Sequence, residues 1–134
     1  MIEAVFWLAL NIYFESRNEP LQGQIAVAEV TLNRVASPHY PDTVKEVVTQ
    51  KGDRVCSFSW YCDGKSDKPK EKKAWENSVF LAKIMLDEYT EKDRVTCVGE
   101  TALFFHATSV SPYWLSDVSK IKQIGGHIFY EKNK

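Results

Sequence analysis

The strongest constraint in this sequence is an apolar segment near its start that ends in a carboxylate. Residues 3–16 are apolar on almost every side of a helix, which predicts a central, buried helix rather than a surface one. This helix should end before Pro20, because proline disfavours helical backbone in the residue that precedes it. Its last turn carries Glu15, three residues after Ile12 and seven after Leu8, and therefore on the same side of the helix. The fold must accommodate a carboxyl group in apolar surroundings.

The position of Glu15 predicts a raised pKa. A carboxyl group in apolar surroundings resists ionisation, and the negative end of the helix dipole also disfavours a carboxylate. A raised pKa is the condition that a general acid needs near neutral pH. The alternative is that Glu15 pairs with Arg17 or with a later lysine and only ends the helix.

Length and charge exclude several classes of protein. The chain has 134 residues, of which 44% are hydrophobic, and this predicts one globular domain over residues 1–134. Lys and Arg number 17 against 18 Asp and Glu, so the basic excess of a nucleic-acid-binding protein is absent. No apolar run reaches the ~18–20 residues of a membrane span. No basic stretch precedes the apolar run Ala4–Leu10, so we expect no signal peptide.

The remaining patterns predict an α+β domain, mostly helical, with a small antiparallel sheet lining a substrate groove. The predicted elements are helices over 21–35 and 74–89, a short helix opened by a Thr43–Glu46 capping box, an extended segment over 56–61, and strands over 101–107 and 125–130. We expect the central helix to pack between the second and fourth helices, with Trp75 and Phe80 in the core. Glu15 should lie at the bottom of the groove, near His106 or Tyr130.

A general acid beside many aromatic residues is typical of glycosidic chemistry. Sugar rings stack their C–H faces on Trp and Tyr, and their hydroxyl groups need polar partners. The residues that supply such contacts are Tyr13, Asn33, Ser59, Trp60, Asp63, His106, Tyr113, Trp114 and Tyr130.

Histidines and cysteines leave other chemistries open. His106 and His127 could meet across two strands and, with a carboxylate, bind zinc. The alternative is two neutral histidines that hydrogen-bond in the groove or the core, which adds His127 to the candidate substrate-binding residues; we predict no metal and no cofactor. Cys56 and Cys62 are six residues apart, so they could form a disulfide across a tight loop or stay reduced.

Several short motifs lie in one order along the chain, at residues 9–20, 23–30, 32–35, 40–44, 58–64, 104–107, 112–114 and 124–130. Together they resemble the SleB/CwlJ-type cell-wall hydrolases over roughly residues 7–131. The resemblance implies a lysozyme-like glycosidase that cleaves peptidoglycan between N-acetylmuramic acid and N-acetylglucosamine. It also implies that Glu15, the first glutamate of the family's Phe-Glu-Ala-Arg-Gly-Glu block, is the catalytic acid. Ser16 and Asn18 replace the usual alanine and glycine of that block, and Ser57 stands where many members have glutamine.

The reaction type depends on whether a second carboxylate takes part. A hydrolase needs one as a nucleophile or base, and Asp63 is the best candidate, although it also reads as a turn residue before Gly64. We expect Glu19 to lie at a helix start and Glu29 on the exposed side of the second helix. With no second carboxylate, Glu15 acts as acid and then as base in lytic transglycosylation, as the resemblance also implies.

We therefore predict a peptidoglycan lytic transglycosylase whose partner is the glycan strand, with no nucleic-acid partner and no membrane insertion, acting as a monomer. The alternatives are a zinc amidase that uses His106 and His127, and a non-catalytic peptidoglycan-binding module. A domain without a leader suggests a phage endolysin that accumulates in the cytoplasm before it reaches the wall. A chain whose leader has been removed, acting in the periplasm or outside the cell, would look the same.

Overall fold

The computed structural model describes residues 2–53, 55–89 and 96–134. The fold is α+β, as predicted, with four helices and one small antiparallel sheet in these ranges. The elements are α1 (Ile2–Ser16), α2 (Leu21–Ala36), α3 (Val44–Val48), α4 (Lys72–Glu88), β1 (Phe104–Ala107), β2 (Val118–Ile124) and β3 (His127–Lys132), with 3-10 turns at Ser59–Cys62 and Leu115–Asp117. None of the described helices has the length and apolar character needed to cross a bilayer.

The central position predicted for the first helix is confirmed. α1 packs against α2, α3 and α4, and Leu8, Ala9 and Ile12 have no exposed surface. At its end the Ser16 hydroxyl donates to the carbonyl of Ile12 at 2.8 Å, so a polar side chain is satisfied inside the core. The last turn of α1, which carries Glu15, therefore joins the buried part of the helix to a half-buried end.

Two other helical predictions are also confirmed. The Thr43 hydroxyl accepts the Glu46 N–H at 3.1 Å and donates to the Glu46 carboxylate at 2.9 Å, so the predicted capping box opens α3. Trp75 packs against the main core, as expected. Phe80 does not: it is 67% exposed, because Leu81 and Met85 are the α4 side chains that turn toward α1.

The sheet has the order β1-β3-β2, with antiparallel pairing throughout. Cross-strand partners share a face, so the register of β1 on β3 sorts their side chains into two sets. Phe105, His127 and Phe129 form the inner face, and Phe129 is fully buried against α2. Phe104, His106, Ile128 and Tyr130 form the outer face.

The hairpin between β2 and β3 holds the sheet to the start of α2. Gly125 has a positive φ of 54°, which suits a tight two-residue turn with Gly126. A Cβ on Gly125 would lie 2.4 Å from a Glu19 carboxylate oxygen and 3.0 Å from Pro20 Cδ. Only glycine therefore lets the turn approach this closely, and the Gly126 N–H donates to Glu19 at 2.7 Å.

Two segments differ from the sequence predictions. The segment predicted as extended over 56–61 contains the 3-10 turn Ser59–Cys62, and a Cys56–Cys62 disulfide closes that loop. β2 was not predicted, because its half-buried residues recur every third position, which is not the alternation of a strand, and a register shift interrupts its pairing between Lys120 and Lys122.

Candidate active site

Glu15 lies in the last turn of α1, half-buried, with part of its surface reaching solvent. Burial raises the pKa of its carboxyl from 4.5 to about 7, and the positive charge of Arg34 acts in the opposite direction. The rise is in the direction expected for a carboxyl group in apolar surroundings. Among the described residues no hydrogen bond or ion pair holds this carboxyl, and Arg17, the alternative partner, instead pairs with Glu71. Glu15 is therefore available to exchange a proton with a bound molecule.

Arg34 provides the charge that acts on Glu15. It lies on α2, is 8% exposed, and donates through Nε to the carbonyl of Leu103 at 2.8 Å. Its guanidinium carbon lies 5.0, 5.1 and 5.9 Å from the ring centroids of Tyr40, Phe58 and Phe104. We call these three residues the aromatic cage. The cage and the Leu103 carbonyl fix the cation beside the acid, and no sequence pattern singled this arginine out.

An aromatic stack positions the residue next to the acid. Phe14 stacks on Trp60, with ring centroids 4.8 Å apart. The Trp60 indole N–H donates to Asn11 at 2.9 Å, and Asn11 donates to Thr31 at 3.0 Å. This buried network ties the 3-10 turn to α1 and α2. Trp60 is thus a positioning residue with its polar group already bonded, and its aromatic ring is 5% exposed.

The outer face of the sheet carries a cluster of aromatic side chains, which we call the aromatic wall: Phe104, His106, Trp114 and Tyr130. His106 stacks on Tyr130 with ring centroids 5.3 Å apart, and Trp114 meets His106 and Tyr130 edge-on at 5.8 and 5.6 Å. Phe104 lies 5.4 Å from Trp114 and also belongs to the cage around Arg34. The wall is therefore continuous with the cation beside Glu15.

Hydrogen bonds determine which atoms of the aromatic wall donate and which accept. His106 Nδ1 lies 2.7 Å from the carbonyl of Ala107, which can only accept, so Nδ1 carries the hydrogen. In a neutral ring Nε2 then accepts from the Tyr130 hydroxyl, also at 2.7 Å. No described residue donates to the Tyr130 oxygen, so this wall presents an acceptor between aromatic rings, an arrangement suited to a sugar.

The structure does not bring His106 and His127 together as a metal pair. They belong to opposite faces of the sheet, since His127 is paired with Ala107 and not with His106. His127 is buried beside Phe105 and Phe129, and its Nδ1 has no partner in the described part of the chain. Burial lowers the pKa of His127, while the nearby Glu19 raises it. Within residues 2–53, 55–89 and 96–134 no group of three or more His, Cys, Asp or Glu is arranged to hold a metal.

Other predicted residues use their polar groups inside the protein. The Tyr13 hydroxyl accepts the backbone N–H groups of Lys70 and Glu71 at 3.1 and 3.0 Å. Asn33 donates to the carbonyls of Gly99 and Ala102 at 2.9 and 2.8 Å. These two side chains fix the segments that flank α4 and β1.

Three further residues of the predicted set, Ser59, Asp63 and Tyr113, are exposed, Tyr113 to 90%. Ser59 lies at the start of the 3-10 turn, and Asp63 follows that turn. The Asp63 carboxylate accepts the Lys65 N–H at 2.9 Å, which is the geometry expected of a turn aspartate before Gly64. Asp63 is thus already engaged in shaping its own loop.

The other nearby carboxylates are also engaged. Glu19 accepts from Gly126 at the hairpin. We expected Glu29 on the exposed side of α2, but the residue is buried and only 3% exposed. Its carboxylate accepts the Thr96 hydroxyl at 2.6 Å and the backbone N–H groups of Cys97 and Val98. Its expected surface position was wrong because backbone N–H groups from a distant loop satisfy this buried charge.

Comparison with known proteins identifies the family of this chain. Residues 18–130 match the family described as Cell Wall Hydrolase, a match that starts just after Glu15. Since it covers most of the chain, the chain belongs to this family, and the predicted resemblance is confirmed.

Two curated proteins that are similar to this chain are both spore cortex-lytic enzymes. The spore cortex-lytic enzyme of Oceanobacillus iheyensis is 34% identical over 122 residues, 91% of this chain and 39% of that protein. The enzyme of the same name from Bacillus subtilis is 34% identical over 126 residues, 92% and 36% respectively. The chain thus spans less than half the length of these curated relatives.

Two solved structures share the fold. The catalytic domain of the germination-specific lytic transglycosylase SleB from Bacillus anthracis has a TM-score of 0.69 and 32% identity, covering 98% of this chain and 96% of that one. The catalytic domain of the Bacillus cereus SleB protein has a TM-score of 0.66 and 29% identity, covering 96% and 91%.

Proposed function

We propose that this chain is a peptidoglycan lytic transglycosylase that cleaves the β-1,4 bond from N-acetylmuramic acid to N-acetylglucosamine, with Glu15 as its acid and base. One observation carries the proposal: the Glu15 carboxyl, whose pKa burial raises to about 7, has no hydrogen bond or ion pair with the described residues and reaches solvent. Membership of the Cell Wall Hydrolase family and the SleB catalytic domains of similar fold support the same substrate and reaction.

The reaction begins with Glu15 in its neutral form. Its proton passes to the glycosidic oxygen as the bond from that oxygen to C1 of the muramic acid breaks. Glu15 is then a carboxylate, and the Arg34 charge stabilises it in this state. The carboxylate takes the proton from the C6 hydroxyl of the same sugar while the C6 oxygen bonds to C1. A 1,6-anhydro ring forms, Glu15 is protonated again, and no water is consumed.

The aromatic wall provides the sugar-binding surface. Trp114, which is half-buried, offers ring surface for stacking, and His106 orients the Tyr130 hydroxyl, whose oxygen accepts no hydrogen bond from the described residues. Ser59 and Asp63, both exposed, contribute polar contacts from the loop at the 3-10 turn. Tyr13, Asn33, Trp60 and His127 act indirectly, by positioning the elements around the acid.

A single carboxyl group is sufficient in the proposed reaction, because Glu15 acts first as acid and then as base. Glu19 and Glu29 accept hydrogen bonds inside the protein. Asp63 is exposed and accepts one backbone N–H, so it is the carboxylate whose part in a lysozyme-type hydrolysis the product masses must exclude.

Product masses decide the reaction type. Purified peptidoglycan digested by the chain should yield 1,6-anhydromuramic ends, so that the product masses sum to the mass of the substrate. Products that together gain one water per cleavage, with reducing muramic ends, would show hydrolysis and overturn the proposed reaction. The variant Glu15→Gln should still bind the wall, because its shape is kept, but should lose roughly 100-fold or more of the lytic rate. Full activity in that variant would place the acid elsewhere.

We place the site of action in the cell wall, outside the cytoplasmic membrane. The Cys56–Cys62 disulfide is of the kind that forms and persists in an oxidising compartment. Thiol labelling of the chain recovered from the wall should find Cys97 alone reactive, and three reactive cysteines would contradict this placement.

A further inference from the structure

Arg34 has more hydrogen-bonding capacity than the protein uses. A guanidinium carries five N–H groups, and only the one on Nε is bonded, to Leu103. Its two terminal nitrogens have no hydrogen-bond partner among the described residues, although the residue is only 8% exposed. Nor do these nitrogens belong to the fully buried atoms that lack a partner, so part of their surface reaches solvent.

The surroundings of Arg34 suit a bound ligand better than a folding role alone. A charged group this deeply buried is costly unless it is paired, and its charged neighbour Glu15 makes no ion pair with it and is neutral in much of the population near pH 7. Three aromatic rings and one carbonyl hold the cation in place. The terminal N–H groups are therefore held in place without a protein acceptor among the described residues, and they can donate to a bound molecule.

We infer that Arg34 is a substrate-specificity residue that donates through its terminal N–H groups to the carbonyl oxygen of a sugar N-acetyl group. This inference rests on the proposed function. A guanidinium can only donate, and the amide carbonyl is a stronger acceptor than a sugar hydroxyl. The methyl group beside that carbonyl also finds apolar surface at the aromatic cage, which includes Phe104 of the aromatic wall.

The test is a binding cycle that does not depend on turnover. In the Glu15→Gln background, binding of a soluble tetrasaccharide of alternating N-acetylglucosamine and N-acetylmuramic acid is measured by calorimetry. The same measurement is made with the N-deacetylated tetrasaccharide. Arg34→Lys keeps the charge and removes the planar fork. We expect it to weaken binding of the acetylated glycan roughly 10-fold or more and binding of the deacetylated glycan much less.

Arg17→Lys is the matched control. Arg17 directly follows α1, two residues after Glu15, but its guanidinium already contacts Glu71, the Tyr13 carbonyl and the Tyr13 ring. This variant should leave the affinity for both glycans unchanged.

Two outcomes would overturn the inference. Equal losses for the two glycans would mean that Arg34→Lys acts through structure or through another group of the glycan, such as the lactyl carboxylate, and not through the N-acetyl group; no loss would mean that Arg34 does not touch the substrate. If Arg34→Lys does not fold, as judged by circular dichroism, Glu15→Gln alone must still prefer the acetylated glycan by roughly 10-fold; equal affinity rejects the contact. Cleavage by hydrolysis would refute the proposed reaction but would leave this binding result intact.

Discussion

At the scale of single residues, Glu15 lies between two opposing influences. Burial favours its neutral form and raises its pKa to about 7, whereas the charge of Arg34 favours the carboxylate. A group that must first give a proton and then take one back benefits from both, because neither form is strongly trapped near neutral pH. The cage that holds Arg34 away from direct pairing preserves this balance.

The raised pKa makes a prediction about stability. The folded state binds the Glu15 proton more tightly than the unfolded chain does. The contribution of this group to the free energy of unfolding is therefore fully present below pH 4.5 and is lost as the pH rises toward 7. Glu15→Gln mimics the neutral acid at every pH. We expect the free energy of unfolding of this variant to equal that of the parent chain near pH 4 and to exceed it by roughly 2–3 kcal/mol at pH 8.

Urea unfolding at the two pH values measures this difference. Glu76→Gln is the control, since Glu76 is exposed on α4 and its replacement should change stability equally little at both. If Glu15→Gln were no more stable than the parent chain at pH 8, the carboxyl would not be held neutral by burial.

The sequence was informative about Glu15 but not about Arg34. The spacing of Leu8, Ile12 and Glu15 places the carboxyl on an apolar helix, and burial follows from that pattern alone. Arg34 is buried by rings that come from three separate parts of the chain, Tyr40, Phe58 and Phe104. No local pattern encodes such a cage.

At the scale of elements, Glu29 fixes the loop that leads into the sheet. Its carboxylate is buried in α2 and accepts from Thr96, Cys97 and Val98. Replacing it by alanine leaves two backbone N–H groups unsatisfied. We expect Glu29→Ala to lower the free energy of unfolding by about 3 kcal/mol.

Two further variants make this prediction specific. Glu29→Gln should lose less, because the amide oxygen can still accept both backbone N–H groups. Glu76→Ala, on an exposed position, should change stability by less than about 0.5 kcal/mol. A loss from Glu29→Ala as small as that from Glu76→Ala would mean that the loop is held by other contacts.

Helices with a row of buried apolar residues could be predicted from the sequence. Elements shaped by contacts with residues far away in the chain could not. α1 and the capping box of α3 follow from apolar spacing and from Thr43 with Glu46. β2 is mostly exposed and carries a register shift, so its residues show no strand periodicity. The 3-10 turn Ser59–Cys62 depends on the Trp60–Asn11 hydrogen bond and on a disulfide that the sequence left open.

At the scale of the whole molecule, the candidate site is assembled from both ends of the chain. α1 supplies the acid, α2 the cation, and the sheet the aromatic wall. The sheet also separates His106 from His127, which lie on its outer and inner faces. This separation removes the two-histidine basis of the zinc amidase alternative.

Chelation tests that alternative directly. We expect lysis of purified peptidoglycan to proceed at an unchanged rate after dialysis against EDTA, because the proposed reaction uses Glu15 for both proton transfers and needs no metal. His127→Asn, which replaces the inner histidine, provides a second test: it should affect stability more than chemistry. Loss of lysis with EDTA and its recovery with zinc would support a metal-dependent mechanism instead.

The protonation state of Glu15 is best measured by carbon-13 NMR titration of its side-chain carboxyl, assigned by comparison with Glu15→Gln. A midpoint near pH 7 is predicted for the folded chain, with a lower midpoint expected after unfolding. A midpoint close to 4.5 in the folded chain would mean that the carboxyl is ionised at neutral pH, and it could not then be the proton donor.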